Sequence, residues 1–145
     1  MDAHPRVAVV RPAGPGDIEA GLALWARART AAASTPDTPE ALANLLAHTP
    51  GALLVAELED GTIAGALIAA WDGWRGNMYR LAVDPPQRRR GIARALVDEG
   101  ERRLRAHGAR RVTALLGRED ERAAGLWTAV GYARDDAIDR FVRNL

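Results

Sequence analysis

The segment Arg88–Arg94, with the sequence Arg-Arg-Arg-Gly-Ile-Ala-Arg, has residue types that could bind a polyphosphate. It follows a predicted strand and opens the longest predicted helix. The first turn of a helix carries about four backbone N–H groups without an internal partner, and the helix dipole adds roughly half a positive charge there. Gly91 lets the backbone approach a ligand, Ala93 keeps the inner wall clear, and the arginines can add charge-assisted hydrogen bonds. The segment therefore predicts a phosphate site.

Two other phosphate-binding motifs do not fit. The chain has no lysine, so it has no P-loop, and the segment lacks the three glycines of a dinucleotide fingerprint. A solvated basic helix start or a nucleic-acid-binding surface remains open, because nine arginines lie between Arg88 and Arg111. A basic surface alone would not need Gly91 and Ala93 at this spacing, so we favour the phosphate site.

The composition is that of an ordinary globular protein, and 145 residues predict one domain over 1–145. No apolar run approaches the roughly 20 residues of a membrane-spanning helix, and Met1–Arg6 lacks the apolar core of a secretory signal. There is no cysteine, and the three histidines show no metal-ligand spacing. We expect a cytoplasmic protein that binds neither a metal nor a membrane.

The hydrophobic periodicity predicts the element order β-α-α-β-β-β-α-β-α-β-β. The strands are predicted at 7–11, 52–59, 62–71, 77–84 and 111–116, with two short ones within 132–142. Helices are predicted after Asp17 and Thr38, at 91–107, and after Asp120. Gly100 lies in the middle of the third helix at a cost of about 1 kcal/mol, which predicts close packing there. The expected fold class is α/β (α+β), a mixed, mostly antiparallel sheet of about six to seven strands flanked by four helices.

Arg88-x-x-Gly91-x-Ala93 matches the [RQ]-x-x-G-x-[GA] signature of the GCN5-related N-acetyltransferase (GNAT) superfamily. The lead-in 79–85 resembles that family's fourth strand, and 126–132 resembles its last helix and the turn that follows. The resemblance covers essentially the whole chain, and it implies the acyl-CoA N-acyltransferase fold. The segment 71–76 further resembles a bacterial subgroup that includes the YpeA and RimI-like acetyltransferases.

The resemblance implies acetyl-CoA as co-substrate and a primary amine as acceptor, which attacks directly in a ternary complex. In the family the fourth and fifth strands splay apart, and pantetheine pairs with the exposed strand edge. By position, the backbone of Leu81, Ala82 and Val83 would meet pantetheine. The pyrophosphate would meet Arg88, Arg89, Arg90, Gly91, Ile92, Ala93 and Arg94.

The general base is not evident from the sequence. Many family members have a carboxylate near the position of Tyr79, which by strand alternation shares a face with Leu81 and Val83. Tyr79 could position a water or the amine, although a phenol of pKa about 10 is a poor base. Asp72 is the other candidate, and an Asp-Gly turn explains it equally well.

The general acid is also altered. The family frame N-x-x-A-x-x-[LF]-Y reads here Asp120-x-x-Ala123-x-x-Leu126-Trp127, so Asp120 replaces the Asn and Trp127 replaces the proton-donating Tyr. We assign Asp120 and Trp127 to the cofactor site, while a purely core role for Trp127 remains equally open. A thiol of pKa about 8.5 is a tolerable leaving group, with solvent or Tyr132 as the proton source.

The acceptor wall implied by the resemblance is Arg27–Pro39, where Asp37 is the only acidic residue. This disfavours a polyamine and leaves a small aminated metabolite, an amino acid or a peptide N-terminus. Two other functions stay open: a non-catalytic acyl-CoA-binding module and a nucleic-acid-binding domain. The net charge of +1 argues against a nucleic-acid partner. Many relatives form homodimers, and the sequence does not decide the oligomeric state.

Overall fold

A computed structural model describes residues 7–29 and 36–145. Within these residues there are five strands and four α-helices, and two short 3-10 turns at Pro15–Asp17 and Pro85–Gln87. The elements are β1 Val7–Pro12, α1 Ile18–Ala28, α2 Pro39–His48, β2 Leu53–Leu58, β3 Ile63–Trp71, β4 Gly76–Val83, α3 Ile92–His107, β5 Val112–Ala114 and α4 Glu121–Ala129. No helix in the described part is both long and apolar enough to cross a membrane.

The strands form one sheet in the order β1-β2-β3-β4-β5. The first four strands are antiparallel to their neighbours, and β5 is parallel to β4. A parallel neighbour requires a crossover connection, and α3 supplies it. The mixed, mostly antiparallel sheet predicted from the sequence is therefore present.

The helices cover both faces of the sheet, which produces two core clusters. Leu54 and Ala56 of β2 belong to the cluster under α3 and α4, whereas Leu53 and Val55 belong to the cluster under α1 and α2. Successive residues of a strand point to opposite faces, so a strand buried on both sides must be apolar at nearly every position. This explains the continuous apolar runs of β2 and β3.

The helix starts follow the sequence signals in one case and not in another. Thr38 accepts a hydrogen bond from the Ala41 N–H at 3.1 Å and caps α2, as predicted. Asp17 precedes α1 but does not cap it through its side chain. Its carboxylate instead accepts from the Gly14 N–H at 2.8 Å and from Arg11 at 2.8 Å. The 3-10 turn before α1 places the carboxylate over the loop rather than over the helix.

The two strands predicted within 132–142 are not formed, so the prediction of six to seven strands is wrong. After β5 the described chain contains only α4 and irregular segments. Asp135 pairs with Arg111 at 3.0 Å and accepts from the Ala137 N–H, and the side chains of Ile138 and Phe141 are 69% and 93% exposed. These apolar side chains meet neither core cluster, so strand pairing would bury none of them.

Gly100 confirms the predicted close packing of α3. A Cβ at this position would lie 2.7 Å from Met78 Cε and 3.2 Å from Ala69 Cβ. The helix therefore contacts β3 and β4 at a distance that a side chain would prevent.

Replacing Gly100 by Leu should destabilise the protein by about 2–3 kcal/mol, because overpacking outweighs the better helix propensity. Gly125 of α4 is the matched control, since a Cβ there meets nothing within 4 Å. Gly125→Leu should leave the free energy of unfolding unchanged or raise it by up to about 1 kcal/mol. Urea unfolding of both variants measures the difference; equal effects would contradict the packing explanation.

Candidate functional site

The loop between β4 and α3 has left-handed backbone at two positions, Arg89 with φ of 64° and Gly91 with φ of 81°. A left-handed conformation is unusual for a non-glycine residue, and such residues concentrate at functional sites. Successive N–H groups in turns of this kind can form an anion-binding concavity. A Cβ at Gly91 would meet nothing within 4 Å, so the space in front of the loop is open.

The N-terminus of α3 begins at this loop without a cap. Gly91 occupies the cap position, no side chain of the described residues caps the helix, and its first turn holds no acidic residue. The Ala95 N–H donates to the Gly91 carbonyl at 3.0 Å, so the N–H groups just before it have no carbonyl in the helix to bind. This helix start therefore suits an external anion.

The arginines of the segment also fasten the loop to its neighbours. Arg88 donates to the Ala28 carbonyl at the end of α1, and Arg94 donates to the Ala129 carbonyl at the end of α4. Arg90 donates to Gln87 Oε1 at 2.6 Å. A guanidinium has five N–H donors, and Arg88 and Arg94 each use one on these carbonyls. The structure brings the predicted phosphate-binding residues together in one place.

The sheet opens directly beside this loop. β4 and β5 pair only over Gly76–Met78 and Val112–Ala114, and the Leu115 N–H then donates to the Met78 carbonyl at 3.0 Å. β4 continues to Val83, so Tyr79–Val83 have no strand partner on that side within the described residues. An unpaired strand edge offers N–H and C=O groups to an extended ligand. This edge contains Leu81, Ala82 and Val83, the residues predicted for pantetheine.

A β-bulge interrupts β4 at the opening. Ala82 pairs with Ala66 and Tyr79 pairs with Ile68, so Arg80 and Leu81 together face one residue of β3. Arg80 has a φ of 59°. A bulge of one extra residue inverts the alternation of faces beyond it.

The bulge overturns one sequence-based expectation. Tyr79 packs against the cluster under α1 and α2, whereas Leu81 and Val83 pack in the cluster under α3 and α4. The prediction that these three residues share a face is wrong, because simple alternation does not hold across the extra residue.

Three residues that the sequence analysis did not select hold the bulge in place. The indole N–H of Trp25, a buried residue of α1, donates to the Arg80 carbonyl at 3.0 Å. Arg80 Nε donates to Asp37 Oδ1 at 2.8 Å, and Arg29 Nη1 donates to Asp37 Oδ2 at 3.1 Å. The available signal was Arg80 itself, a charged residue within a strand whose other side chains are mostly apolar.

Arg29, Asp37 and Arg80 form what we call the arginine cluster. Burial, followed by repulsion from Arg80, lowers the pKa of the Arg29 guanidinium, and these effects outweigh the attraction of Asp37 and Asp120. Asp120 lies at the start of α4, where its carboxylate accepts from the Ala123 N–H at 3.0 Å. The cluster therefore lies between α1, the start of α2 and the start of α4.

Trp127 belongs to the core. It is 4% exposed and lies edge-on against Tyr132, with ring centroids 4.8 Å apart. Of the two roles left open for Trp127, the structure supports packing.

Tyr132 donates its hydroxyl proton to Glu101 Oε2 at 2.7 Å. Burial and this hydrogen bond raise the pKa of the phenol above its ordinary value. Tyr132 packs against the α3 and α4 cluster, and Tyr79 packs against the other cluster. The structure therefore does not bring the two candidate catalytic tyrosines together.

Asp72 is occupied by its turn. Its Oδ1 accepts from the N–H groups of Trp74 and Arg75 at 2.8 and 2.7 Å, and these hydrogen bonds lower the pKa of its carboxyl. Within residues 7–29 and 36–145 there is no group of three metal-ligating side chains. The part of the predicted acceptor wall from residue 30 to 35 lies outside the described residues.

Comparison with known proteins identifies relatives of this chain. The sequence model of the Acetyltransferase (GNAT) family matches residues 19–132. Acetyltransferase ECA0875 of Pectobacterium atrosepticum is 33% identical over 122 residues, which are 84% of this chain and 85% of that protein. An acetyltransferase of Yersinia pestis is 36% identical over 93 residues, and the match spans 64% of this chain and 65% of the Yersinia protein.

Solved structures resemble the fold. Aminoglycoside N-acetyltransferase AAC(6')-Iy, in complex with CoA, matches with a TM-score of 0.75 at 15% identity over the whole of both chains. Ard1 from Thermoplasma volcanium matches with a TM-score of 0.71 at 20% identity, over 86% of this chain and 82% of that one. At these identities the likeness concerns the fold, and it confirms the predicted fold class apart from the strand count. The narrower resemblance to the YpeA and RimI-like subgroup stays a prediction.

Trp25→Phe should destabilise the protein by about 2 kcal/mol, because the Arg80 carbonyl loses the indole donor in a buried site. Trp74→Phe is the control, since Trp74 is 83% exposed at the β3–β4 turn and should change stability by less than about 0.5 kcal/mol. Urea unfolding gives both values. If the two variants were equally stable, the indole hydrogen bond would not support the bulge.

Tyr132 should make stability depend on alkaline pH. Its pKa in the folded protein is raised above the ordinary value of about 10, so the folded state holds the phenol proton more tightly than the unfolded chain does. This contribution is complete below about pH 10 and is lost as the pH rises further. The free energy of unfolding should fall more steeply above about pH 10 for the wild type than for Tyr132→Phe. Parallel curves in urea titrations across this range would refute the assignment.

Proposed function

Since the chain belongs to the GNAT family of acetyltransferases, we propose that it is an enzyme that transfers the acetyl group of acetyl-CoA to a primary amine. The observation that carries the proposal is the continuous path from the uncapped start of α3 to the unpaired edge of β4. One end of this path suits a pyrophosphate, and the other suits the amides of pantetheine.

In this proposal the donor lies along β4. The pyrophosphate binds the N–H groups at the start of α3, from Gly91 to Arg94, with Arg88, Arg89 and Arg90 adding positive charge. Pantetheine runs back along the backbone of Leu81–Val83 and brings the thioester toward the bulge. Asp120, at the start of α4, faces this path from the other side of the opening.

The reaction needs the two reactants to be held together. The amine nitrogen attacks the thioester carbonyl carbon, a C–N bond forms, the C–S bond breaks, and the sulfur leaves as a thiolate. The attacking nitrogen loses one proton to solvent, and the thiolate gains one. Holding the reactants in place can lower the barrier by as much as about 7–11 kcal/mol. A backbone N–H near Ala82–Val83 would stabilise the oxyanion that develops on the carbonyl.

The protein supplies position more than proton transfer. Tyr79 lies beside the bulge, on the side of α1 and α2, and would orient the amine or a water molecule. The Tyr132 proton is held by Glu101, so we favour solvent as the proton source for the thiolate. A thiol of pKa about 8.5 needs little help in leaving, which is consistent with a core role for Trp127.

Gly91→Glu should abolish the thermal stabilisation of the protein by acetyl-CoA, because a carboxylate would occupy the phosphate position. Gly61 is the matched control, since it also has positive φ and a Cβ there would meet nothing within 4 Å. Gly61→Glu carries similar backbone strain in the β2–β3 turn and should leave acetyl-CoA binding unchanged.

The activity is measured as release of the CoA thiol from acetyl-CoA in the presence of a broad panel of primary amines. Release by the wild type and its loss in Gly91→Glu are expected. Binding of acetyl-CoA without thiol release from any amine would replace the enzyme by a non-catalytic acyl-CoA-binding module. Unchanged affinity of Gly91→Glu for acetyl-CoA would remove the donor site assigned here.

A further inference from the structure

The arginine cluster gathers residues from separate elements at the end of the proposed donor path. Arg29 follows α1, Asp37 precedes α2, and Arg80 forms the bulge of β4. Asp120, which contributes to the field at Arg29, starts α4 on the other side of the opening. The cluster therefore lies where an acceptor must approach the thioester.

The two guanidiniums share one carboxylate. Arg80 binds one oxygen of Asp37 and Arg29 binds the other, so positive charge exceeds negative charge within the trio. Both arginine side chains are mostly buried, at 23% and 18% exposure, and this strengthens their mutual repulsion relative to water. Burial and Arg80 together lower the pKa of Arg29 despite two nearby carboxylates. A further anion at this place would relieve the excess charge.

A guanidinium is also suited to one class of ligand. Its planar donors match the two oxygens of a carboxylate, and such charge-assisted pairs are stronger than neutral hydrogen bonds. Arg29 Nη1 donates to Asp37, which accounts for one of the five donors that a guanidinium carries.

We propose that the acceptor amine carries a carboxylate in the same molecule, as an amino acid does, and that Arg29 binds this carboxylate while the amine faces the thioester. This inference rests on the proposed acetyl transfer and names the substrate class for it. Polycationic acceptors are disfavoured, because Arg29 and Arg80 would repel them. Arg80 and Asp37 act as positioning residues that hold the Arg29 guanidinium toward the opening.

The test compares amino acids with their carboxamides, which differ only in the negative charge. For the wild type, kcat/KM for the best amino acid should exceed that for its amide roughly ten- to a hundredfold, the factor expected for a hydrogen bond to a charged group. Arg29→Gln should reduce this ratio to about twofold or less, and Arg29→Lys should keep part of it. Arg102→Gln, an exposed arginine on the outer face of α3, should keep the wild-type ratio.

A binding measurement separates this inference from the proposed activity. In the presence of CoA, an N-acetylated amino acid should bind the wild type more tightly than its amide, and Arg29→Gln should bind both equally. Acetyl-CoA affinity, measured separately, should be the same in Arg29→Gln and the wild type. Equal binding of acid and amide by the wild type, or a preference for polyamines, would overturn the substrate class while leaving acetyl transfer intact. Failure of all amines to release thiol would instead overturn the activity itself.

Discussion

The bulge at Arg80 is the feature on which the rest of the site depends. A left-handed conformation at a non-glycine residue costs of order 1–3 kcal/mol, so it must be supported from outside the strand. Trp25 binds the Arg80 carbonyl from α1, and Asp37 binds its guanidinium from the start of α2. β4 pairs with β5 only before the bulge, and beyond it the strand edge is open. One extra residue therefore coincides with the change from a closed sheet to a strand edge with unpaired backbone groups.

The position of α3 is set by missing side chains as much as by present ones. Gly100 contacts Met78 and Ala69, and a Cβ on Gly65 of β3 would lie 2.7 Å from Ile92 at the start of the same helix. The two glycines let α3 lie close to the sheet along its length. Its uncapped first turn consequently stands at the end of β4, where the open edge leads. The phosphate-binding turn and the strand edge are parts of one arrangement because the same packing positions both.

The two faces of the sheet have different roles. The face under α3 and α4 holds Trp127 and Tyr132 in contacts that build the core. The face under α1 and α2 carries Tyr79, Trp25 and the arginine cluster beside the opening. The charged groups that could select an acceptor thus lie on one side of the sheet, and the aromatic residues aligned with the family's proton donor lie on the other. This division is consistent with catalysis by positioning, in which the acceptor is chosen by charge and solvent takes part in proton transfer.

The sequence alone determined the local features: the strands and helices up to α4, the Arg88–Arg94 turn, and the close approach at Gly100. Each depends on residues near one another in the chain, such as apolar periodicity, the cap at Thr38, or a glycine at a helix start. Tertiary structure decided the features that depend on distant partners. The bulge at Arg80 requires a strand register against β3 and a donor from α1, and the arginine cluster joins residues 29, 37 and 80, which no local pattern relates. The same reason explains the segment 132–142, whose alternating pattern indicates strands but whose apolar side chains meet no core in the folded chain.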